Sequence, residues 1–505
     1  MCFRCSDTRN EHLVALKTAI NEKDKRSTAG VWFGSQHRSN NQRSRLATMK
    51  LFVYVVAGLV SSTAFSPFEF WFSAFIGLFL WFYILDKSTR RVRLVGSYLF
   101  GLALLLSTQS WTGIYVGNFP WLALCFMQAL FFLIPGFFFP IKNRYRPFIF
   151  AGSYVLVELL MRTIPFTGFG WSRLSYTQTE APISSLYSLG GVVLVAWTIA
   201  FFVALRSLPL AVVTFSLVFL STFAPESIRS NGEIKLALVQ GGVTELGLEF
   251  NSKPREVFFR HLDQTQKLKD KVDLIIWPEN SVDIDINTNR DIYQQIVEQS
   301  KAKNTPILVG GVTKADIGLR NQSMLFSPEL SQIYTKRYLT PFGEYLPIRS
   351  VATKFSPYAD DITDFVAGNE DKVFRLGSKS FQVLICYEVI NDSFRDQIES
   401  DFIVVQTNNA TFGDTPQLDQ ELVIAKVRAM ETGRSIAYVS TTGVTSFISS
   451  NGDIISELNK FDKTTLIGQI ELVTGSTITQ KIGFVMEPII VFSLIFLSLR
   501  RFYKI

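Results

Sequence analysis

Histidine is scarce in this chain. There are three in 505 residues, His12, His37 and His261, and none lies near Cys386, which sits in LICYEVI directly after a strand-like apolar run. A cysteine nucleophile at that position has no imidazole close in sequence to take its proton, so another base is required. Cysteine itself occurs four times. Cys2 and Cys5 form a CxxC, but a zinc site needs a second ligand pair and the sequence has none, so no metal and no cofactor are expected. Lys and Arg are missing from the apolar connections SPFEF and YVGNFP, an absence that sets the topology below.

Apolar residues are what the chain has in excess: 48% hydrophobic, 14% aromatic and 45 phenylalanines. They crowd into 51–224 and 483–499, whereas 225–480 has the charge density of a soluble domain. Stretches of about 17 to 25 apolar residues read as membrane spans. They fall at 51–67, 70–85, 94–117, 121–141, 147–165, 185–205, 208–224 and 483–499. Basic residues mark alternate connections: DKSTRRVR after the second span, KNRYR after the fourth, Arg206 after the sixth and RRFYK after the last. The positive-inside rule then places both termini in the cytoplasm and 225–480 across the membrane, in the periplasm of a bacterial inner membrane. The net charge of +7 belongs to the cytoplasmic flanks and does not call for nucleic acid. Residues 1–48 are polar, rich in Arg, Ser and Asn, and read as a disordered or over-called extension ahead of Met49. The expected division is therefore 1–48 extension, 49–224 seven transmembrane helices, 225–480 globular domain, and 481–505 a closing helix and tail.

Within the globular region, runs at 234–240, 272–277, 306–311, 381–386, 402–407 and 435–441 are apolar and β-branched, as strands buried on both faces are. Helix-like segments at 253–270, 289–303 and 417–433 separate several of them, and NQSMLFSPELSQIYTKRYL reads as a hairpin turning at SPELSQ. The pattern is an α/β sandwich. Catalytic groups on such folds tend to follow strand ends. Three ends carry an ionisable residue: Glu279 in IIWPEN, Lys336 in YTKRYL and Cys386 in LICYEV. Each alone reads as an ordinary surface charge or core cysteine; together they form a chemical unit. A buried carboxylate can deprotonate a thiol, and a lysine can face the oxyanion of an attacked carbonyl. In the fifth span Glu158 and Arg162 lie at i,i+4, where they can pair with each other. Ionisable groups at that depth face a protein interior or a polar cavity, so the pair is either structural or a lipid-headgroup site.

Glu279 in WPEN, Lys336 followed by PFGEYLP, and Cys386 in CYE resemble the Glu-Lys-Cys triad of the nitrilase superfamily. Eight spans around such a domain resemble the apolipoprotein N-acyltransferases, with further matches in SPFEFWFSAFIGL, ELLMRTIPFTGFGWSRLSYTQ, SLYSLGG, VQGG, and AKVRAMETGR with the TTGVTSFISSNG that follows it. The resemblance implies a membrane domain of about eight helices carrying a nitrilase-like α-β-β-α sandwich. It also implies a two-step transfer, in which Cys386 takes an acyl chain from a membrane phospholipid as a thioester. The α-amine of the diacylglyceryl-cysteine at the N-terminus of an apolipoprotein then takes it as an amide. In that scheme Glu279 is the general base and Lys336 stabilises the oxyanion, while Glu344, Tyr387 and Glu388 match residues that support the site.

Two positions depart from the family pattern. An Asn-Asp-x-Trp-Phe motif reads here NNATF, with Asn409 and Thr411 in place of the acid and the tryptophan, and the aromatic expected after VQGG is nearest at Phe250. Both positions bear on acyl-chain and donor preference. A membrane-anchored amidase would share the triad but has no use for eight spans. A transporter with a periplasmic binding domain is disfavoured by the lack of an internal repeat and the few intramembrane charges. The topology is open to test: reporter fusions after Arg146 and after Ile505 should report cytoplasm, and one near Gly232 periplasm. A cytoplasmic signal at Gly232 would overturn the span count.

Overall fold

The computed structural model describes residues 42–114, 117–139, 144–205, 228–247, 252–347 and 363–503, with isolated positions between these ranges. The first apolar region forms α1 (Gln42–Ser62), α2 (Trp71–Asp86), α3 (Arg90–Thr108), α4 (Asn118–Phe138), α5 (Arg146–Thr163) and α6 (Leu186–Ala204). Helix α1 begins ahead of Met49, so residues 42–48 are already helical, whereas residues 1–41 lie outside the described residues. Most of the expected span at 208–224 also lies outside them. The helices pack through aromatic side chains: Trp81 of α2 stacks on Phe100 of α3 with centroids 4.2 Å apart, and its indole N–H donates to Ser97 Oγ at 3.1 Å.

Two six-stranded sheets follow. The first has the order β12-β1-β2-β3-β4-β5, and the second β11-β10-β9-β8-β7-β6. In the first, β1 (Ile228–Gln240), β2 (Leu274–Ile276) and β3 (Ile307–Lys314) are parallel, and the hairpin β4 (Leu319–Phe326) and β5 (Leu330–Thr335) returns antiparallel. In the second, β6 (Val373–Leu376) pairs antiparallel with β7 (Lys379–Ile385), which runs parallel to β8 (Phe402–Thr407) and β9 (Ile436–Ser440). β10 (Ser446–Ile448) and β11 (Ile454–Glu457) extend that sheet, whereas β12 (Thr464–Gly475) crosses to the first and pairs along β1. The sheets enclose a dry core that includes Leu236, Leu238, Ile276, Val383, Ile385 and Val404. Helices α7 (Glu256–Lys267) and α8 (Arg290–Lys303) cover the outside of the first sheet. On the second sheet lie α9 (Asp392–Gln397) and α10 (Gln417–Thr432), and the chain closes with α11 (Ile478–Tyr503). The fold is thus the expected α-β-β-α sandwich beside a helical bundle. Five of the described helices, α1, α3, α4, α6 and α11, are long and apolar enough to cross a membrane.

The outer face of the second sheet and α10 belong to the same continuous apolar core as the bundle, with Leu384, Val405, Ala425 and Tyr438 packed together with Trp81, Tyr154 and Val195. Ions lock this junction. Arg173 donates to both Asp392 oxygens at 3.1 and 2.9 Å, Arg428 Nη2 meets Asp392 Oδ1 at 2.8 Å, and Arg162 Nε lies 3.3 Å from Asp392 Oδ2. Glu158 therefore does not pair with Arg162. It takes Arg173 Nε at 3.1 Å and the Ser175 hydroxyl at 2.7 Å, while Arg162 turns to Asp392 and to Glu487 of α11. The four arginines around Asp392, with Arg395 the fourth, outweigh its burial and hold its carboxyl well below the usual range. A second acid, Glu431, accepts the Val192 N–H at 2.9 Å. That N–H is free because Gly191 breaks α6 at φ 64°, and a Cβ there would come within 2.5 Å of Glu431 Oε1.

Removing one member of a buried ion network strands the others. Asp392→Ala should therefore cost about 3–5 kcal/mol of stability, read as a lowered thermal midpoint in detergent. The exposed pair of Asp263 with Lys267 provides the control, since Asp263→Ala should cost less than about 1 kcal/mol. Equal losses would mean that the network does not hold the junction.

Candidate active site

Strands β2, β5, β7 and β8 all end at one edge of the sandwich, because two antiparallel steps return β5 to the direction of β3. Glu279, Lys336, Cys386 and Asn408 leave those ends within three residues of the last strand position. The turns that carry Glu279, Glu344 and Cys386 each contain a non-glycine residue in the left-handed region: Asn280 at φ 54°, Phe342 at 64° and Cys386 itself at 49°. Such backbone is uncommon and is held in place only by its surroundings. The Glu279 turn lies directly on β3, where a Cβ at Gly310 would approach Pro278 O to 2.4 Å and Glu279 Cα to 2.7 Å. Only glycine fits that approach.

Lys336 is 1% exposed and lies between two carboxylates, 2.9 Å from Glu344 Oε2 and 3.5 Å from Glu279 Oε1. Asn321 of β4 bridges the same two acids, its amide donating to Glu279 Oε1 at 2.7 Å and to Glu344 Oε1 at 2.9 Å. Glu344 is further held by the Thr340 N–H, and Glu279 by the Asn408 N–H at 2.9 Å. The two acids differ in consequence. Burial raises both, but Lys336, the nearer partner of Glu344, brings Glu344 below the ordinary glutamate value, whereas Glu279 stays above it, helped by the charge of Glu344. One carboxylate is a fixed counter-ion and the other is a better base than free glutamate. Burial works against the charged form of Lys336, yet Glu344 and Glu279 outweigh it, so the ammonium is permanent.

Cys386 is half-buried at the start of the short helical turn Cys386–Ile390. Burial, then the charges of Glu279 and Glu421, push its thiol well above the usual range against the pull of Lys336. A thiol held so high needs a base to react, and Glu279 and Glu421, the two carboxylates acting on it, are both raised by burial. Glu388 works from beneath: its oxygens accept from Tyr334 OH at 2.8 Å and from the N–H groups of Arg337 at 2.7 Å, Tyr338 at 3.2 Å and Ile385 at 2.9 Å. It thereby ties the lysine loop to the nucleophile turn, and burial pushes its pKa up to about 7. Tyr387 joins the turn to the bundle, donating to Gly168 O at 3.0 Å and stacking on Phe169. Asn409 is fully buried and donates to Glu421 and Gln417. Phe250 lies outside the described residues, and Glu158 and Arg162 belong to the ion network rather than to this cluster. The histidine within the described part, His261, is buried with Nδ1 2.7 Å from Val257 O, and burial lowers its pKa to about 4.

Asn321, Glu421 and Thr407 escaped the sequence reading. A polar residue inside an otherwise apolar hairpin strand is the signal that could have exposed Asn321; Glu421 looks in sequence like an ordinary surface position on a helix. Among the described residues no group of three or more His, Cys, Asp or Glu could hold a metal ion.

The arrangement is that of an enzyme of the carbon-nitrogen hydrolase type built against a membrane-type bundle. Residues 235–479 match the carbon-nitrogen hydrolase family model, and residues 57–205 match the apolipoprotein N-acyltransferase N-terminal domain. The chain is 32% identical to an apolipoprotein N-acyltransferase from Mycolicibacterium smegmatis over 86% of its own length and 82% of that protein's. It is 26% identical to the one from Haemophilus influenzae over 89% and 94%. A carbon-nitrogen hydrolase superfamily protein from Xanthomonas campestris is also similar in structure, at 17% identity and TM-score 0.37 over 47% of this chain and 91% of that one. The chain belongs to the apolipoprotein N-acyltransferase family.

If Glu279 is the base, acyl-enzyme formation should lose rate on the acid side with a midpoint above the ordinary glutamate pKa of 4.5. Glu344→Gln should move that midpoint down, because it removes a repelling charge and leaves Lys336 to Glu279. A midpoint that rises, or does not move, would separate the acid limb from Glu279.

Proposed function

We propose that this acyltransferase moves a fatty acyl chain from a membrane phospholipid to the α-amine of the diacylglyceryl-cysteine that begins an apolipoprotein, through a thioester on Cys386. The observation that carries this reading is the Cys386 turn itself, which faces Glu279 and Lys336 on one side and is bonded to the membrane-type bundle through Tyr387 on the other. Glu279 takes the thiol proton, and sulfur attacks the ester carbonyl. Lys336 faces the developing oxyanion, a contribution worth about 3–4 kcal/mol in comparable sites. Collapse breaks the carbon–oxygen bond, Glu279 returns the proton to the glycerol oxygen, and a lysophospholipid leaves. The acceptor amine then attacks the thioester through a second oxyanion at Lys336. Asn321, Glu344 and Glu388 hold these groups in place. The basic connections DKSTRRVR and KNRYR support a reading in which the sandwich faces the periplasmic side of the inner membrane and both termini the cytoplasm. A lipid donor and a lipid-anchored acceptor both reach it from the bilayer surface, and a thioester buried there is shielded from water.

Incubating the detergent-solubilised chain with phospholipid should add one acyl mass that hydroxylamine removes. Cys386→Ala should abolish it and Cys125→Ala, whose thiol is buried in the bundle, should keep it. A diacylglyceryl peptide with a free α-amine should discharge the thioester, and its N-acetylated copy should not. Equal discharge by both would make water the acceptor and the chain a hydrolase.

A further inference from the structure

Making the amide releases one proton more than cleaving the ester does. An α-amine has a pKa of about 7.7–8.0, so near neutral pH the acceptor arrives largely as an ammonium. Its nitrogen sheds two protons as the carbon–nitrogen bond forms and the carbon–sulfur bond breaks. One ends on the Cys386 sulfur by way of Glu279, which holds one proton at a time. The other needs a second acceptor.

A second carboxylate flanks the thiol. Glu421 projects from α10 and is fully buried, as are Thr407, Tyr438 and Asn409. Its Oε2 is fixed by the side-chain amides of Asn409 at 2.8 Å and Gln417 at 2.9 Å, and Asn409 is itself oriented by the Ser440 hydroxyl at 2.6 Å. Its Oε1 has no hydrogen-bond partner among the described residues, and neither do Thr407 Oγ1 and Tyr438 OH. Three buried polar atoms are thus left over on the helix-facing side of the second sheet. Thr407 ends β8 beside the nucleophile: Ile385 is paired with Gln406, so Cys386 and Thr407 leave adjacent strand ends together. The Thr407 hydroxyl favours the charged form of both the Cys386 thiol and the Glu421 carboxyl. The titratable groups that face Glu421 are Cys386, Glu279 and Tyr438. Burial raises the Glu421 pKa, against neighbouring donors that lower it, and Glu279 adds to the rise.

We infer that Glu421 takes the second proton of the acceptor amine, through the Thr407 hydroxyl, and so sets the lower pH limit of the amide-forming step. The inference rests on the acyltransferase reading above. The bookkeeping closes: ammonium and thioester give amide, thiol and one proton, which passes from Glu421 to solvent. Glu421 acts through Thr407 and is a positioning residue for that proton.

The test uses the full chain in detergent, loaded from a dipalmitoyl phospholipid, with a diacylglyceryl-cysteine peptide as acceptor. Discharge is followed only on the loaded fraction counted by intact mass, with buffer alone subtracted. At about pH 6.5, where the amine is protonated, Glu421→Gln should slow aminolysis about tenfold or more. At about pH 9, where the amine arrives neutral, the deficit should shrink to within about threefold, because no second proton remains to be placed. A purely structural loss would be equal at both values, and that result, or no deficit at the lower one, overturns the inference. Should Glu421→Gln fail to load, Thr407→Val decides: it should show the same pH-dependent deficit and Thr407→Ser should repair it. If the wild type itself were not discharged by the amine, the acyltransferase reading would fail, a different result from any of these.

Discussion

Three arginines from separate parts of the chain, Arg162, Arg173 and Arg428, converge on the buried carboxylate of Asp392. Asp392 opens α9 two residues after the turn that holds the nucleophile. Whatever fixes Asp392 therefore fixes where Cys386 stands against the bundle. A buried ion network is poor evidence of net stability, because desolvation offsets most of its attraction. Its use here is geometric. An apolar interface between α10 and the bundle could slide by a turn with little penalty, whereas a carboxylate ion-paired with three guanidinium groups has one position. Arg428 reinforces it by donating to Val389 O at 2.7 Å, inside the nucleophile turn.

The same principle of paired charges, applied at smaller scale, sorts the groups at the strand ends. One ammonium between two carboxylates would leave both acids equivalent if the geometry were symmetric. It is not: Lys336 is nearer to Glu344, and the two acids shift in opposite directions. The site thus holds a carboxylate of raised proton affinity without any histidine beside it among the described residues, and a fixed cation flanked by two acids.

The alternation of β-branched runs and helical segments was readable because strands buried on both faces are continuous apolar runs, and the parallel strands ended within one residue of where the sequence placed them, except β3, which runs on from 311 to Lys314. The edge strands β11 and β12 were not, since half-exposed strands such as Thr464–Gly475 mix polar and apolar residues without a clean period. Glu279, Lys336 and Cys386 stood out as candidates for a local reason: each is an ionisable residue just past a strand end. Asn321, Thr407 and Glu421 did not, because each is defined by what lies across from it. The i,i+4 spacing of Glu158 and Arg162 suggested a pair, yet spacing on one helix cannot show that Arg173 and Asp392 approach from elsewhere.

By itself the sequence determined which segments are apolar enough to leave water, which strand ends carry a carboxylate, an amine and a thiol, and the family whose motifs these match. Those properties depend on residue type and near neighbours along the chain. The tertiary structure decided which of the two acids beside Lys336 is raised and which is lowered, and that the bundle and the second sheet share one core. It also brought a second buried carboxylate, Glu421, near enough to the thiol for its charge to act there. These depend on distances of a few ångströms between residues far apart in sequence, and on burial that converts a small difference in distance into a large difference in charge stability.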